Sequence, residues 1–211
     1  MLYVNDIFYS IQGESSYSGY PCKFIRLAGC NLKCGYCDTQ EALDTKNSKQ
    51  FGINDIIKSA CGSGPAGIKL IEITGGEPMM QNESLELMNK LIELKYTVLL
   101  ETNGTISLKK VHHSVIKIID VKCPSSGHSK EFFFENLKYI GRNDEIKFVI
   151  GSKDDYDYAK NFITEYSLYS LKLIFSPVEG AVSHGEIAGK ILNDGLNVRL
   201  GVQLHKIIGL K

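Results

Sequence analysis

An α/β fold, and within that class a partial parallel β/α barrel, is what this sequence predicts. Short β-rich runs alternate with amphipathic stretches, the rhythm of parallel strands joined by crossover helices. Polar motifs recur where those strands should end, the edge at which such barrels place their sites. No internal repeat, low-complexity tract or interdomain linker interrupts the 211 residues, so 1–211 reads as one domain.

Strands are expected at 23–27, 69–74, 97–101, 116–121, 145–150, 171–175 and 197–200, each rich in β-branched or other apolar residues. Asn82 is placed to cap a helix whose apolar stripe is Leu85, Met88, Leu91 and Ile92. Ser183 and Glu186 read as the capping box of another helix, which Gly195 stops. Alternation along the first strand puts Phe24, Arg26 and Ala28 on one face and Ile25 and Leu27 on the other.

Composition narrows the partners. Lysine plus arginine number 24, as do aspartate plus glutamate, so no basic excess argues for nucleic acid or an anionic membrane. No apolar run approaches the roughly 20 residues that span a bilayer. Residues 1–9 lack the charged leader and apolar core of a secretory signal. A cytoplasmic, reducing location is the expectation, and there clustered cysteines bind metal or do redox chemistry more often than they form disulfides.

The segment "GCNLKCGYCDT" (29–39) holds Cys30, Cys34 and Cys37 in a Cys-x3-Cys-x2-Cys spacing, on a glycine-bounded loop just after a strand. Structural zinc takes four closed ligands, yet Cys22, Cys61 and Cys123 stand alone in the sequence and no histidine is near. Three thiolates suit a 4Fe-4S cluster with one iron left open for another ligand. Zinc and unligated thiols remain the alternatives.

With Tyr36 before the last cysteine, this signature resembles that of the radical S-adenosylmethionine enzymes. The stretch "TGGEP" (74–78), leaving a strand, is similar to their element that meets the methionine end of the cofactor. Its glycines allow close backbone approach, and Glu77 is expected to pair with an ammonium group. The segments "FYSIQGE" (8–14), "FIRLAGCNLKCGYCDT" (24–39), "TGGEP", "LETNGT" (100–105), "DVKCPSSG" (120–127), "FSPVEG" (175–180) and "VQLHKIIGLK" (202–211) together resemble the 7-carboxy-7-deazaguanine synthase family over essentially the whole chain.

That resemblance implies an abridged barrel of the radical S-adenosylmethionine type. It implies a lyase that converts 6-carboxy-5,6,7,8-tetrahydropterin into 7-carboxy-7-deazaguanine with loss of ammonia, in the deazapurine branch leading to queuosine. The cofactors would be a 4Fe-4S cluster on Cys30, Cys34 and Cys37, S-adenosyl-L-methionine, and Mg2+ at Thr39. The S-adenosyl-L-methionine contacts would be Tyr36, Cys37, Asp38, Gly76, Glu77, Glu101, Asp120, Val121, Lys122, Ser176, Pro177, Val178 and Glu179. Substrate contacts would be Ile11, Gln12, Gly13, Arg26, Thr74 and Lys211, with Arg26 clamping the substrate carboxylate. A flavodoxin or ferredoxin as electron donor, a homodimer and a C-terminal tail closing over the site come with the resemblance. The hard chemistry belongs to the cofactor, so no side-chain catalyst is expected.

Two positions depart from the family pattern. Ser15 stands where glycine usually follows Glu14, and the chain ends in Lys211 where proline is common. The terminal carboxylate, rather than the Lys211 side chain, is therefore expected to meet the substrate. Cys123 is expected to be incidental, His205 structural, and Asp38 to serve near the adenosyl side or to support the residues that hold the ligands. Two other readings stay open: an activase that makes a glycyl radical on a partner protein, and a noncatalytic metal-binding module.

Overall fold

The computed structural model describes residues 1–46, 48–62, 65 and 67–211. Strands lie close to each expected position: β2 (Pro21–Leu27), β4 (Leu70–Gly75), β5 (Thr97–Thr102), β6 (Ile116–Val121), β7 (Glu145–Ile150), β8 (Lys172–Pro177) and β9 (Arg199–Leu200). Two more, β1 (Leu2–Ile11) and β3 (Lys49–Phe51), were not expected. Among the described residues the nine strands form one sheet, in the order β3-β1-β2-β4-β5-β6-β7-β8-β9. From β2 to β9 every neighbour is parallel, while β1 runs antiparallel to both β2 and β3.

Helices α1 (Ile53–Ile57), α2 (Glu83–Glu93), α3 (Lys153–Glu165), α4 (His184–Asn193) and α5 (Leu204–Ile207) complete the chain. The crossover rhythm breaks on both sides of β6, where irregular loops and short 3-10 turns such as Phe134–Tyr139 take the place of an α-helix. Buried Asn136 makes this possible: its amide accepts from Leu108 N at 2.8 Å and donates to the carbonyls of Gly104 and Ile106 at 2.9 and 3.0 Å. These bonds satisfy loop backbone that a helix would have satisfied internally.

The helix ends differ in detail from expectation. Asn82 occupies the cap position of α2, but its backbone is already helical and its side chain makes no cap bond; the buried face is Ser84, Leu87, Met88 and Leu91, with Leu85 and Ile92 at its margin. On α4 the Ser183 hydroxyl accepts from Glu186 N at 3.1 Å. Glu186 itself turns to Lys190, 3.2 Å away, so the box is half formed.

Period-two alternation divides the core. Outward-facing Ile25, Leu27, Ile71, Ile73, Leu100, Phe148 and Phe175 pack with Leu87, Leu91, Phe162 and Ile187 of the helices, each such burial contributing about 1.5–3 kcal/mol. The inner face begins apolar, with Cys22, Phe24, Leu70, Leu99, Ile116 and Ile118. Towards the strand ends it becomes polar, and Arg26, Thr74, Glu101, Asp120 and Lys147 line a cavity there. No helix of the described residues is long and apolar enough to cross a membrane.

Candidate active site

The cavity holds about 530 Å³ and opens at the C-terminal strand ends, as the barrel reading expected. All expected site residues line it except Glu77 and Val121. Cys30, Cys34 and Cys37 are free thiols on its wall, while Cys22 and Cys123 are buried elsewhere.

Backbone contacts fix the cysteine loop. Cys30 N donates to Leu43 O at 3.0 Å, Gly29 N to Ala42 O at 2.8 Å, and Glu77 N to Gly29 O at 2.8 Å. The "TGGEP" turn thus packs backbone to backbone on the loop. A Cβ at Gly76 would overlap the Gly29 carbonyl, which is why that position takes glycine. Glu77 does not serve as expected. Its fully buried carboxylate accepts from Thr102 Oγ1, Met79 N and Asn103 N at 2.8, 2.9 and 2.7 Å, so it ties the turn to β5 rather than facing a ligand. Val121 likewise points into the apolar core, because alternation on β6 turns Asp120 inward and its neighbour outward.

Arg26 faces the cavity, as alternation required. Its Nη1 reaches Thr39 Oγ1 and Glu41 Oε1 at 3.4 Å each, and its Nε is buried with no partner among the described residues. Thr39 Oγ1 donates to Asp38 Oδ1 at 3.1 Å. Burial would raise the Asp38 pKa, but Lys206, 3.4 Å away, the Thr39 hydroxyl and the charge of Lys147 together outweigh it and hold the carboxyl below its ordinary range.

Gln12 is more occupied than expected. Its Oε1 accepts from Glu14 N and Ser15 N at 2.9 Å each, and its Nε2 donates to Glu72 Oε2 at 3.1 Å. One amide hydrogen is left for a ligand. Ser15 fits the turn without strain on this pattern, because its hydroxyl accepts from Tyr17 N at 3.1 Å.

The tail closes one side. Leu204 N donates to Gly13 O at 3.0 Å, and a Cβ on Gly13 would overlap the His205 ring. Lys206 bridges Asp38 and Glu179, joining the cysteine loop to the segment after β8. Lys211 lines the cavity: its ammonium pairs with Asp6 and lies over the Phe8 ring, 4.6 Å from the centroid, while the terminal residue's carbonyl oxygen accepts from Ser10 Oγ.

Lys147, Glu72, Asn103, Gln203 and Lys206 also line the cavity and were missed in the sequence. The signal existed for two of them. Lys147 and Glu72 are charged residues on the inward face of central strands, the same argument that singled out Arg26.

A sequence model of the radical SAM superfamily matches residues 24–163. The chain is 40% identical over 220 residues to the 7-carboxy-7-deazaguanine synthase of Koribacter versatilis, covering 97% of this chain and 96% of that one. It is 37% identical over 211 residues to that of Methanospirillum hungatei, covering 98% and 85%. The chain belongs to the 7-carboxy-7-deazaguanine synthase family of radical SAM enzymes. The crystal structure of QueE from Escherichia coli shares the fold, with a TM-score of 0.81 at 21% identity over 97% of this chain and 94% of that one.

Radical SAM enzymes work with a 4Fe-4S cluster and S-adenosyl-L-methionine, and the residues present fit that pair. Burial pushes the Cys30 and Cys34 thiols up, so the thiolate form calls for a cation beside it. Among the described residues no three His, Cys, Asp or Glu side chains converge on one ion. A 7-carboxy-7-deazaguanine synthase has no need of such convergence, because each cluster thiolate takes a separate iron.

Proposed function

We propose that this chain converts 6-carboxy-5,6,7,8-tetrahydropterin to 7-carboxy-7-deazaguanine with loss of ammonia, in a deazapurine pathway such as that to queuosine. One observation carries the reading: three free thiols and an arginine whose buried Nε has no partner among the described residues share one cavity. The thiols suit a cluster, and the arginine calls for an anion such as the substrate carboxylate.

When bound, the cluster and S-adenosyl-L-methionine supply hydrogen-atom abstraction. The chain's own task is placement. Cys30, Cys34 and Cys37 would hold the cluster. Gly76 offers backbone to the methionine end, Glu101 and Asp120 with Lys122 face the ribose side, and Ser176 to Glu179 border the adenine, with Tyr36 and Asp38 beside them. Arg26 forks onto the substrate carboxylate, while Ile11, Gln12, Gly13, Thr74 and Lys211 bound the ring. Thr39 would offer Mg2+ one hydroxyl, a contribution that suits an ion keeping much of its hydration. The tail excludes water from the cavity. A cytoplasmic location, a homodimer and a flavodoxin or ferredoxin as reductant belong to the same proposal and are supported by the family resemblance.

The test is anaerobic incubation of the purified, reconstituted protein with S-adenosyl-L-methionine, reductant, Mg2+ and the pterin, with products read by mass spectrometry. Product carrying the mass change of ammonia loss supports the proposal. A protein with about four irons per chain that cleaves S-adenosyl-L-methionine yet leaves the pterin intact overturns it.

A further inference from the structure

The cavity wall carries a charge cluster centred on Lys147, a residue that none of the roles above uses. Lys147, on the inner face of β7, is 5% exposed. Its Nζ donates to Glu14 Oε2 at 3.1 Å and to Glu101 Oε1, and stands 3.9 Å from Asp120 Oδ2. The three carboxylates come from different parts of the chain. Glu14 directly follows the Gln12–Gly13 turn on the substrate side, whereas Glu101 and Asp120 lie on β5 and β6 on the cofactor side.

Burial alone would drive the Lys147 pKa down, but Glu101, Glu14 and Asp120 outweigh it and hold it well above that of an ordinary lysine. An ammonium locked in its charged form is a poor proton donor and an effective tie. The two carboxylates it hydrogen-bonds, Glu14 and Glu101, are anchored again on their far sides. Glu14 Oε1 accepts from Gln203 Nε2 at 2.8 Å and its carbonyl from Arg199 Nη2 at 2.8 Å. Glu101 Oε2 accepts from Thr74 Oγ1 at 3.0 Å. A continuous chain of hydrogen bonds therefore runs from the substrate turn, through one buried ammonium on a central strand, to the cofactor side.

We infer that Lys147 is a positioning residue that couples the two ligand sites, tying the turn beside the pterin to the carboxylates beside S-adenosyl-L-methionine. The inference rests on the function proposed above. Ordering long side chains and a loop costs free energy at each site. When one tie orders both, the first ligand bears that cost and the second binds more tightly. By linkage the effect is reciprocal.

Calorimetry on the cluster-loaded protein, anaerobic and without reductant so that no turnover occurs, tests this directly. S-adenosyl-L-methionine is titrated with and without the pterin, and the pterin with and without S-adenosyl-L-methionine, in wild type, Lys147→Met and Glu14→Gln. In wild type each ligand is expected to tighten the other about tenfold, within the usual range of coupling. Both variants should bring the factor to about one, and during turnover should release more 5′-deoxyadenosine per product. If Lys147→Met fails to fold, Glu14→Gln carries the test, since it removes the charge from the substrate-side arm and leaves Glu101 and Asp120 in place. Coupling absent from wild type, or retained in the variants, overturns the inference while product formation leaves the function standing. A wild type that binds S-adenosyl-L-methionine but neither binds nor converts the pterin overturns both.

Discussion

The guanidinium of Arg26 lies over the ring of Phe8, 5.4 Å from its centroid, and Phe8 in turn stacks on Phe24 at 4.9 Å. An aromatic shelf, more than any close ion pair, holds the fork at the cavity wall, because its nearest oxygens are at 3.4 Å. Lysine has neither the plane to lie on that shelf nor two parallel donors. Arg26→Lys is expected to lower kcat/KM for the pterin about 10- to 100-fold, the scale of a lost charge-assisted hydrogen bond. Binding of S-adenosyl-L-methionine should be unchanged. Steady-state kinetics and a separate titration decide it; an equal loss of cofactor affinity would remove Arg26 from the substrate clamp.

The cysteines divide by position. Cys30, Cys34 and Cys37 line the cavity, whereas Cys22 and Cys123 are buried away from it, and Cys61 does not line it either. Alanine at any of the first three should abolish cluster assembly and product together, while Cys22→Ala and Cys61→Ala keep both. Iron and sulfide content with the visible absorption of the anaerobic protein are the readouts. A cluster of full iron content in Cys34→Ala would break the assignment.

Legibility in the sequence followed the physics of each element. The parallel strands announced themselves because they are buried on both faces and run apolar. The strand β1 did not, since in "YVNDIFYS" the polar pair Asn5–Asp6 followed by Ile7, Phe8 and Tyr9 breaks period-two alternation where the register shifts, and the strand lies beside the short β3 near the sheet edge. Glycine and cysteine motifs were readable because backbone approach and metal ligation constrain residue type. Lys206 and Gln203 were not, because their partners Asp38, Glu179 and Glu14 are far away in sequence and only the fold brings them near. Glu77 was misread for a related reason: a motif names the residue, but its backbone partners Met79 and Asn103 decide which way its carboxylate turns.

Burial, reinforced by the charge of Glu101, pushes the Glu72 carboxyl up to about 8 from its ordinary 4.5. Between those values the folded chain holds a proton that the unfolded chain has lost. Stability from this group is thus fully present below about 4.5 and declines as pH rises through about 8. Glu72→Gln keeps an acceptor for Gln12 and cannot ionise. Its melting temperature should gain on wild type steadily between pH 5 and pH 8, by roughly 2–4 °C per kcal/mol recovered. Thermal denaturation of the protein without added ligands measures it. A difference that stays constant with pH would mean that Glu72 does not titrate in this window.

The C-terminus is tied down more firmly than a frayed end would be. Leu210 N donates to His205 O at 2.8 Å, and Lys211 pairs with Asp6, covers Phe8 and accepts from Ser10 Oγ. Phe8 is also the shelf under Arg26, so the last residue and the carboxylate clamp share one aromatic ring. Deleting Leu210 and Lys211 should therefore lower kcat/KM for the pterin about 10- to 100-fold, as expected when one or two charge-assisted bonds disappear. Cluster content and S-adenosyl-L-methionine affinity should persist, because the cysteine loop is anchored independently through Ala42, Leu43 and Glu77. Lys211→Ala keeps the terminal carboxylate and loses only the ammonium, so its effect should fall between wild type and the truncation. A C-terminal tag should act in the same direction and more mildly. Kinetics of the four forms in parallel separate the contributions: an effect of Lys211→Ala as large as the truncation assigns the role to the side chain. Unchanged kcat/KM in the truncated form would show that the tail contacts do not bear on substrate binding at all.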